Sequence, residues 1–184
     1  DSDSDKKFVN GVLSLFMSNV VGNIIILDNI KMLTTKALIA SGIKPDMITA
    51  VEYNHSVSAE MDRSLGTDIV TGAIEDYIDE SPIHKIGGVY FDFTGNHVSL
   101  CMFEKSIWAL RKHKTPRRLK IATTFSIGRR GKMCMSELYN RSLDVMEKAF
   151  PNHCVIPQID YTYRRSRGGF TMYHQQYILQ KTIR

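Results

Sequence analysis

CVIPQIDYTY (154–163), RRSRGG (164–169) and FTMYHQQYIL (170–179) follow one another near the end of the 184-residue chain. The outer two stretches are rich in β-branched and aromatic residues, which is typical of strands. The middle stretch contains Gly168-Gly169, a turn signal, and is too short for a helix. The sequence therefore predicts that the chain closes with a β-hairpin.

Upstream of this hairpin, short apolar runs alternate with segments of helical periodicity. The first run, NIIILD (23–28), is continuously apolar until its final acid, as in a strand buried on both faces of a parallel sheet. Further strands are predicted at 47–52, 68–71, 87–92 and 119–125, and helices at 8–17, 34–41, 56–65, 73–78, around 100–110 and at 136–150. We expect Thr34 or Thr35 to cap the second helix. Five strand–helix units then precede the hairpin within a single domain, 8–184, and residues 1–7 are expected to form a disordered tail.

Composition narrows the class of protein. The net charge is +5 and the pI is about 9.1, which suits a nucleic-acid partner, although many basic proteins bind none. Cys101, Cys134 and Cys154 are scattered, which indicates free core thiols in an intracellular compartment, cytoplasm or nucleus, and they form no metal-binding pattern. No signal peptide is visible in the sequence, and no apolar run reaches the roughly 18 residues that a membrane helix needs, so we expect no membrane association. The scattered cysteines lead us to expect no metal.

Five alternating units followed by an antiparallel hairpin resemble the class I S-adenosylmethionine-dependent methyltransferases, over about residues 8–181. The resemblance implies an α/β fold with a Rossmann-like sheet of seven mostly parallel strands in the order 3-2-1-4-5-7-6. Strand 7 is antiparallel, and helices cover both faces. It also implies S-adenosylmethionine as cofactor and methyl transfer as activity. In open parallel sheets, ligands bind beyond the carboxyl ends of the strands, where the strand order reverses.

The resemblance assigns the cofactor to the loops after the first four strands. The residues that it implies are Asp28, Asn29, Thr35, Glu52, Tyr53, Gly72, Ala73, Ile74, Asp92 and Phe93. We expect the Glu52 carboxylate to accept hydrogen bonds from ribose hydroxyls, as acidic residues do in related dinucleotide-binding folds, and Tyr53 to pack on the adenine. The alternative for Glu52 is a solvated acid at a strand end. The loop DNIKMLTT (28–35) lacks the glycines of the family, which indicates either an altered loop path or a lost cofactor site.

Asp92, in the segment DFTG (92–95), is the candidate catalytic residue. It would orient or deprotonate the acceptor, and the alternative is a capping or loop acid. The segment lacks the motifs for methylation of exocyclic amines and of cytosine C5. No glutamate follows Glu147, so the Lys-Asp-Lys-Glu set of ribose 2′-O-methylation cannot be placed in the usual way. What remains is positioning chemistry, in which a bound nucleophile is held in line with an activated sulfonium.

Basic residues near the expected cleft suggest a nucleic acid or nucleotide-containing substrate. The substrate-binding candidates are Thr94, Arg129, Arg130, Lys132, Arg164, Arg165 and Arg167. A catalytically inactive domain that binds nucleic acid or a partner protein is the main alternative, and a methyltransferase for a protein or small molecule is another. The small size of the chain makes a protein partner subunit plausible. A nicotinamide-dependent oxidoreductase is disfavoured because GxGxxG is absent after the first strand.

Overall fold

One seven-stranded sheet organises the computed structural model. The structure describes residues 2–81, 85–93, 97–113, 116–127, 134–164 and 171–182, without the side chains of residues 2–5, 97, 98 and 164. The strands are β1 (Asn23–Leu27), β2 (Ile48–Glu52), β3 (Asp68–Thr71), β4 (Ile86–Asp92), β5 (Arg118–Ile127), β6 (His153–Arg164) and β7 (Thr171–Lys181). Their order is β3-β2-β1-β4-β5-β7-β6. The first five strands are parallel and β7 is antiparallel to both its neighbours, so the predicted topology and the closing hairpin are confirmed.

The helices fall between the strands as predicted, with local differences. They are α1 (Ser2–Met17), α2 (Leu33–Ala40), α3 (His55–Glu60), α4 (Ile74–Glu80), α5 (His97–Leu110) and α6 (Met135–Ala149). The helix predicted at 56–65 is shorter than expected, because α3 ends at Glu60 and a separate 3-10 turn follows at Arg63–Leu65. The Asp62 side chain accepts a hydrogen bond from the backbone N–H of Ser64 and so caps this second turn.

The beginning of the chain differs from the expectation. Residues 2–7, predicted as a disordered tail, belong to α1, which begins at Ser2. One contact supports the helix in this part of the chain. Lys6 is held by an ion pair to Asp92 at the end of β4.

The start of α2 also differs. Met32, not Thr34 or Thr35, occupies the N-cap position, and its backbone is left-handed with φ of 47°. Both threonines are buried within the first turn of the helix. Both follow the first helical residue, Leu33, and so lie past the cap position, and their hydroxyls donate to Asp28 from Thr35 and to Asn10 from Thr34.

The sheet separates two hydrophobic clusters. Ile24 and Ile26 of β1 pack on one face with Met17 of α1, and Ile25 packs on the opposite face with Phe103 of α5. All five side chains are fully buried. The three cysteines lie outside these clusters and are free and exposed. The prediction that they are free is confirmed, and the prediction that they are buried in the core is wrong. With helices on both faces, a ligand site is left to the carboxyl edge of the sheet.

Candidate functional site

The strand register places a row of polar residues along the carboxyl edge of the sheet. From β3 towards β6 the row consists of Thr71, Glu52, Asp28, Asp92, Thr124, His174 and Tyr161. Asp28 directly follows β1, and its backbone N–H donates to the carbonyl of Val51 at 3.3 Å, which continues the β1–β2 ladder. The strand order reverses between β1 and β4, so Asp28 and Asp92 stand on the two sides of the switch point.

Asp28 anchors the loop after β1. One carboxylate oxygen accepts two hydrogen bonds from Thr35, from the backbone N–H and from Oγ1, each at 2.8 Å. The other oxygen accepts the backbone N–H of Asn29 at 3.0 Å. Burial nevertheless raises the pKa of Asp28 above its ordinary value, and the donors from Thr35 and Asn29 oppose this rise. The carboxylate therefore fixes the path of a loop that has no glycine.

The hydrophobic side chains of this loop do not converge on one place. Met32 is fully buried and belongs to the cluster on the α1 face of the sheet. Leu33 lines a groove between α1 and α2. Ile30 is 44% exposed, and the Asn29 side chain is exposed and accepts the backbone N–H of Lys31. The path of the loop thus directs Met32 and Leu33 away from the row at the strand ends.

Glu52 ends β2 with a partly buried side chain. Its Oε1 accepts the backbone N–H of Asn54 at 2.8 Å, while the Asn54 side chain caps α3. One carboxylate oxygen is thereby fixed in direction, which orients the second. Tyr53 is 76% exposed, so the packing on adenine expected for it requires a ligand that covers this ring.

A cavity of about 310 Å³ lies beside the carboxyl end of β3. Gly72 lines it with φ of +150°, a backbone conformation that residues with a side chain rarely adopt. Open space surrounds the position that a Cβ would take. The backbone N–H of Gly72 donates to the carbonyl of Glu52 at 3.0 Å, which joins the cavity to the end of β2. Ala73 also lines the cavity, but the Ile74 side chain is fully buried in the core. Of the predicted trio, Gly72 and Ala73 border the space and Ile74 only supports it.

Asp92 ends β4 and pairs with Lys6 of α1. The two side chains are 17% and 21% exposed, so the pair is largely shielded but reachable from solvent. Lys6 Nζ also lies 6.0 Å from the ring centroid of Tyr90, which adds a cation–π contact. Phe93, the next residue, is buried and stacks on Phe91 with ring centroids 5.6 Å apart, so its side chain belongs to the core.

Sequence reasoning missed Lys6, because it assigned this residue to a tail. It also missed His174, which lies fully buried in the same row. The Thr124 hydroxyl links Tyr90 to His174 Nδ1, at 3.0 and 2.9 Å, and the amide nitrogen of Gln176 donates to His174 Nε2 at 3.0 Å. Burial lowers the pKa of His174 to about 4, so the imidazole is neutral at physiological pH. No spacing in the sequence predicts this network of hydrogen bonds, because its members come from three different strands.

Most of the predicted substrate-binding residues lie outside the described residues. These are Thr94, Arg129, Arg130, Lys132, Arg165 and Arg167. Arg164 is the last residue of β6, and its side chain is not described. They stay predictions. Within the described ranges, no group of three or more His, Cys, Asp or Glu side chains is arranged to hold a metal ion. In that same part of the chain, no helix combines the length and apolarity needed to cross a membrane.

The fold has many counterparts among solved structures. M. jannaschii TYW2 in complex with AdoMet superposes with a TM-score of 0.61 at 11% identity, over 98% of this chain and 77% of that one. P. horikoshii TYW2 in complex with MeSAdo gives 0.60 at 10% identity, over 92% and 62%. The M. jannaschii fibrillarin pre-rRNA processing protein gives 0.51 at 11% identity, over 88% and 67%.

The chain has the class I methyltransferase fold. This confirms the architecture that the resemblance implied, including the antiparallel seventh strand. No protein-family model matches the sequence, and no curated protein matches it either. At these identities the agreement lies in the order and packing of the elements. The chemistry of the site therefore has to be argued from this chain's own residues.

Proposed function

We propose that the chain is an S-adenosylmethionine-dependent methyltransferase that acts on nucleic acid or on a nucleotide-containing substrate. The observation that supports it most strongly is the placement of Glu52, Asp28 and Asp92 at the carboxyl ends of the neighbouring strands β2, β1 and β4. Open parallel sheets bind ligands at this place, beside the strand-order reversal. The acids come from separate parts of the sequence, and the fold brings them to one edge.

The residues near β2 and β3 fit an adenosyl group. Glu52 has one carboxylate oxygen fixed by Asn54, and the other would accept hydrogen bonds from ribose hydroxyls. The cavity at Gly72 leaves space beside it because no Cβ occupies that position. The exposed ring of Tyr53 would cover the adenine. Asp28 holds the intervening loop in place through Thr35 and has little capacity left for a ligand.

The residues near β4 act on the acceptor. S-adenosylmethionine, when bound, supplies an electrophilic methyl group on a sulfonium. Asp92 then accepts a hydrogen bond from the acceptor and orients it, or removes its proton. Lys6 pairs with one oxygen of the Asp92 carboxylate and so fixes its direction. Because Phe91 and Phe93, the two neighbours of Asp92 in sequence, are both buried in the core, the carboxylate stands on a rigid support.

Charge supports a polyanionic substrate. The net charge of the chain is +5, and the predicted substrate-binding arginines and one lysine lie after β5 and around the β6–β7 turn. The M. jannaschii fibrillarin that shares the fold is a pre-rRNA processing protein, which favours RNA among the candidates. These two observations carry the choice of substrate class.

The loop after β1 favours a second candidate, a catalytically inactive domain that binds nucleic acid or a partner protein. This loop has no glycine, and Met32 adopts a left-handed backbone conformation that non-glycine residues rarely accept. Such a domain would retain salt-dependent nucleic-acid binding and have no affinity for the cofactor.

Labelled methyl transfer separates the two candidates. The chain is incubated with S-adenosylmethionine carrying a labelled methyl group and with pools of RNA, DNA and protein. We expect label in the RNA pool, and we expect Asp92→Asn to lower kcat roughly a hundredfold or more. We expect Glu52→Gln to raise the KM for the cofactor with a smaller effect on kcat. Label in no pool, together with retained RNA binding, would favour the inactive domain.

A further inference from the structure

Three aromatic side chains meet at the β6 side of the carboxyl edge, and we call Phe8, Tyr161 and Tyr163 the aromatic patch. The rings of Phe8 and Tyr161 contact edge to face, with centroids 5.6 Å apart and planes at 72°. The ring of Tyr163 lies 6.2 Å from that of Tyr161. Phe8 is a large aromatic residue that is 59% exposed, whereas Leu13 and Met17 of the same helix are buried against the sheet.

The aromatic patch packs on a buried and hydrogen-bonded residue of β7. The Tyr161 ring lies 5.1 Å from the ring of His174, its partner in the β6–β7 register. His174 in turn is held by Thr124 and Gln176 and is fully buried. The exposed Phe8 therefore contacts a Tyr161 ring whose movement is restricted by the buried His174. A preorganised aromatic surface binds a flat partner at low entropic cost.

The aromatic patch also belongs to the row that contains the candidate catalytic carboxylate. Tyr161 pairs with His174, His174 with Thr124, and Thr124 with Asp92. Three strand spacings separate Tyr161 from Asp92, which corresponds to roughly 14 Å. Helix α1 bridges this distance, because Lys6 reaches Asp92 while Phe8 reaches Tyr161. A few nucleotides of an extended strand span the same length.

We propose that the aromatic patch stacks an unpaired base of single-stranded nucleic acid and so places a neighbouring nucleotide at Asp92. This inference rests on the proposed function and deepens it, because it narrows the substrate to single-stranded segments. The chain as a whole is basic, with a net charge of +5, which suits a polyanionic strand. Aromatic side chains on which bases stack are a common way for proteins to bind single-stranded nucleic acid.

Binding of two matched probes tests the inference. Fluorescence anisotropy at low salt compares a short labelled oligouridine with an oligomer of the same length that carries abasic sugars. We expect Phe8→Ala to weaken oligouridine binding about tenfold and to leave abasic binding unchanged, since only the base stacks. Phe8→Trp should restore binding. Leu15→Ala is the matched control, because Leu15 is 78% exposed on the same helix and lies outside the patch.

Several results would overturn the inference. One is equal binding of both probes to the wild-type chain, and another is an equal effect of Phe8→Ala on both. Tighter binding of an RNA duplex, or no oligonucleotide binding at low salt, would assign the patch to a different partner. Titration with S-adenosylhomocysteine is a separate measurement. If this cofactor analogue binds but the probe test fails, only the role of the patch is rejected. If the probe test succeeds but the analogue does not bind, only the proposed enzyme is rejected.

Discussion

Lys6 and Asp92 form an ion pair although 86 positions separate them in the sequence. The pair joins the first turns of α1 to the carboxyl end of β4, at the point where the sheet offers its ligand site. It has two consequences. It orders the beginning of the chain as a helix, and it directs the one carboxylate to which we assign a catalytic role.

The first prediction concerns the energy of this pair. Because both side chains are mostly shielded, we expect a double-mutant cycle with Lys6→Met and Asp92→Asn to give a coupling of about 1 kcal/mol in urea unfolding. Lys148 and Asp144, an i,i+4 pair with side chains 65% and 56% exposed, serve as control and should give less than about 0.5 kcal/mol. Equal couplings for the two pairs would show that the Lys6–Asp92 contact does not hold α1 in place.

The second prediction concerns pH and His174. Burial lowers the pKa of His174 to about 4 from an ordinary 6.5, so between these values the unfolded chain binds a proton that the folded chain does not. Stability therefore falls as pH decreases through this window. In denaturant titrations, the free energy of unfolding of the wild type should fall by about 3 kcal/mol more than that of His174→Gln between pH about 7 and pH about 4. The exposed His55→Gln is the control, and a wild type that runs parallel to His174→Gln would contradict the prediction.

The third prediction concerns the anchor at Asp28. Thr35→Val removes the hydroxyl that donates to the buried Asp28 carboxylate at 2.8 Å, and a lost bond to a charged group costs about 2 kcal/mol in the free energy of unfolding. Thr34→Val removes a longer bond, 3.3 Å, to the neutral side chain of Asn10 and should cost about 1 kcal/mol or less. If thermal or urea unfolding ranked the two variants in the opposite order, Asp28 would not be the anchor of the loop.

The fourth prediction concerns the cofactor. Glu52→Gln keeps an oxygen for the backbone N–H of Asn54 but loses the charge that binds ribose hydroxyls. We expect affinity for S-adenosylhomocysteine to fall about tenfold or more in calorimetry. Glu60→Gln, an exposed position at the end of α3, should bind like the wild type. Unchanged affinity in the Glu52 variant would remove this residue from the cofactor site.

The positions of the strands could be predicted because they carry clear signals, whereas the sheet order came from the resemblance to the class I methyltransferases. NIIIL at Asn23–Leu27 is apolar on both faces, as a central parallel strand must be, and Gly168-Gly169 separates two strand-like runs with no room for a helix. Acids directly after such runs fall at the carboxyl edge in any sheet of this order. Asp28, Glu52 and Asp92 were predictable for that reason.

Features that depend on distant contacts were not predictable. Lys6 belongs to a polar segment that resembles a tail until Asp92 is brought beside it. His174 sits in a strand whose alternation does not show that Thr124 and Gln176 provide its hydrogen bonds. Thr35 resembles a helix cap in sequence, yet it serves Asp28. In each case tertiary structure supplied a partner that local pattern does not contain.

Calorimetric titration of the wild-type chain with S-adenosylhomocysteine tests the central claim most directly. The account predicts saturable binding to a single site, located by the loss of affinity in Glu52→Gln but not in Glu60→Gln. A flat titration up to millimolar ligand would contradict it, and would leave a methyltransferase fold that does not hold the adenosyl group.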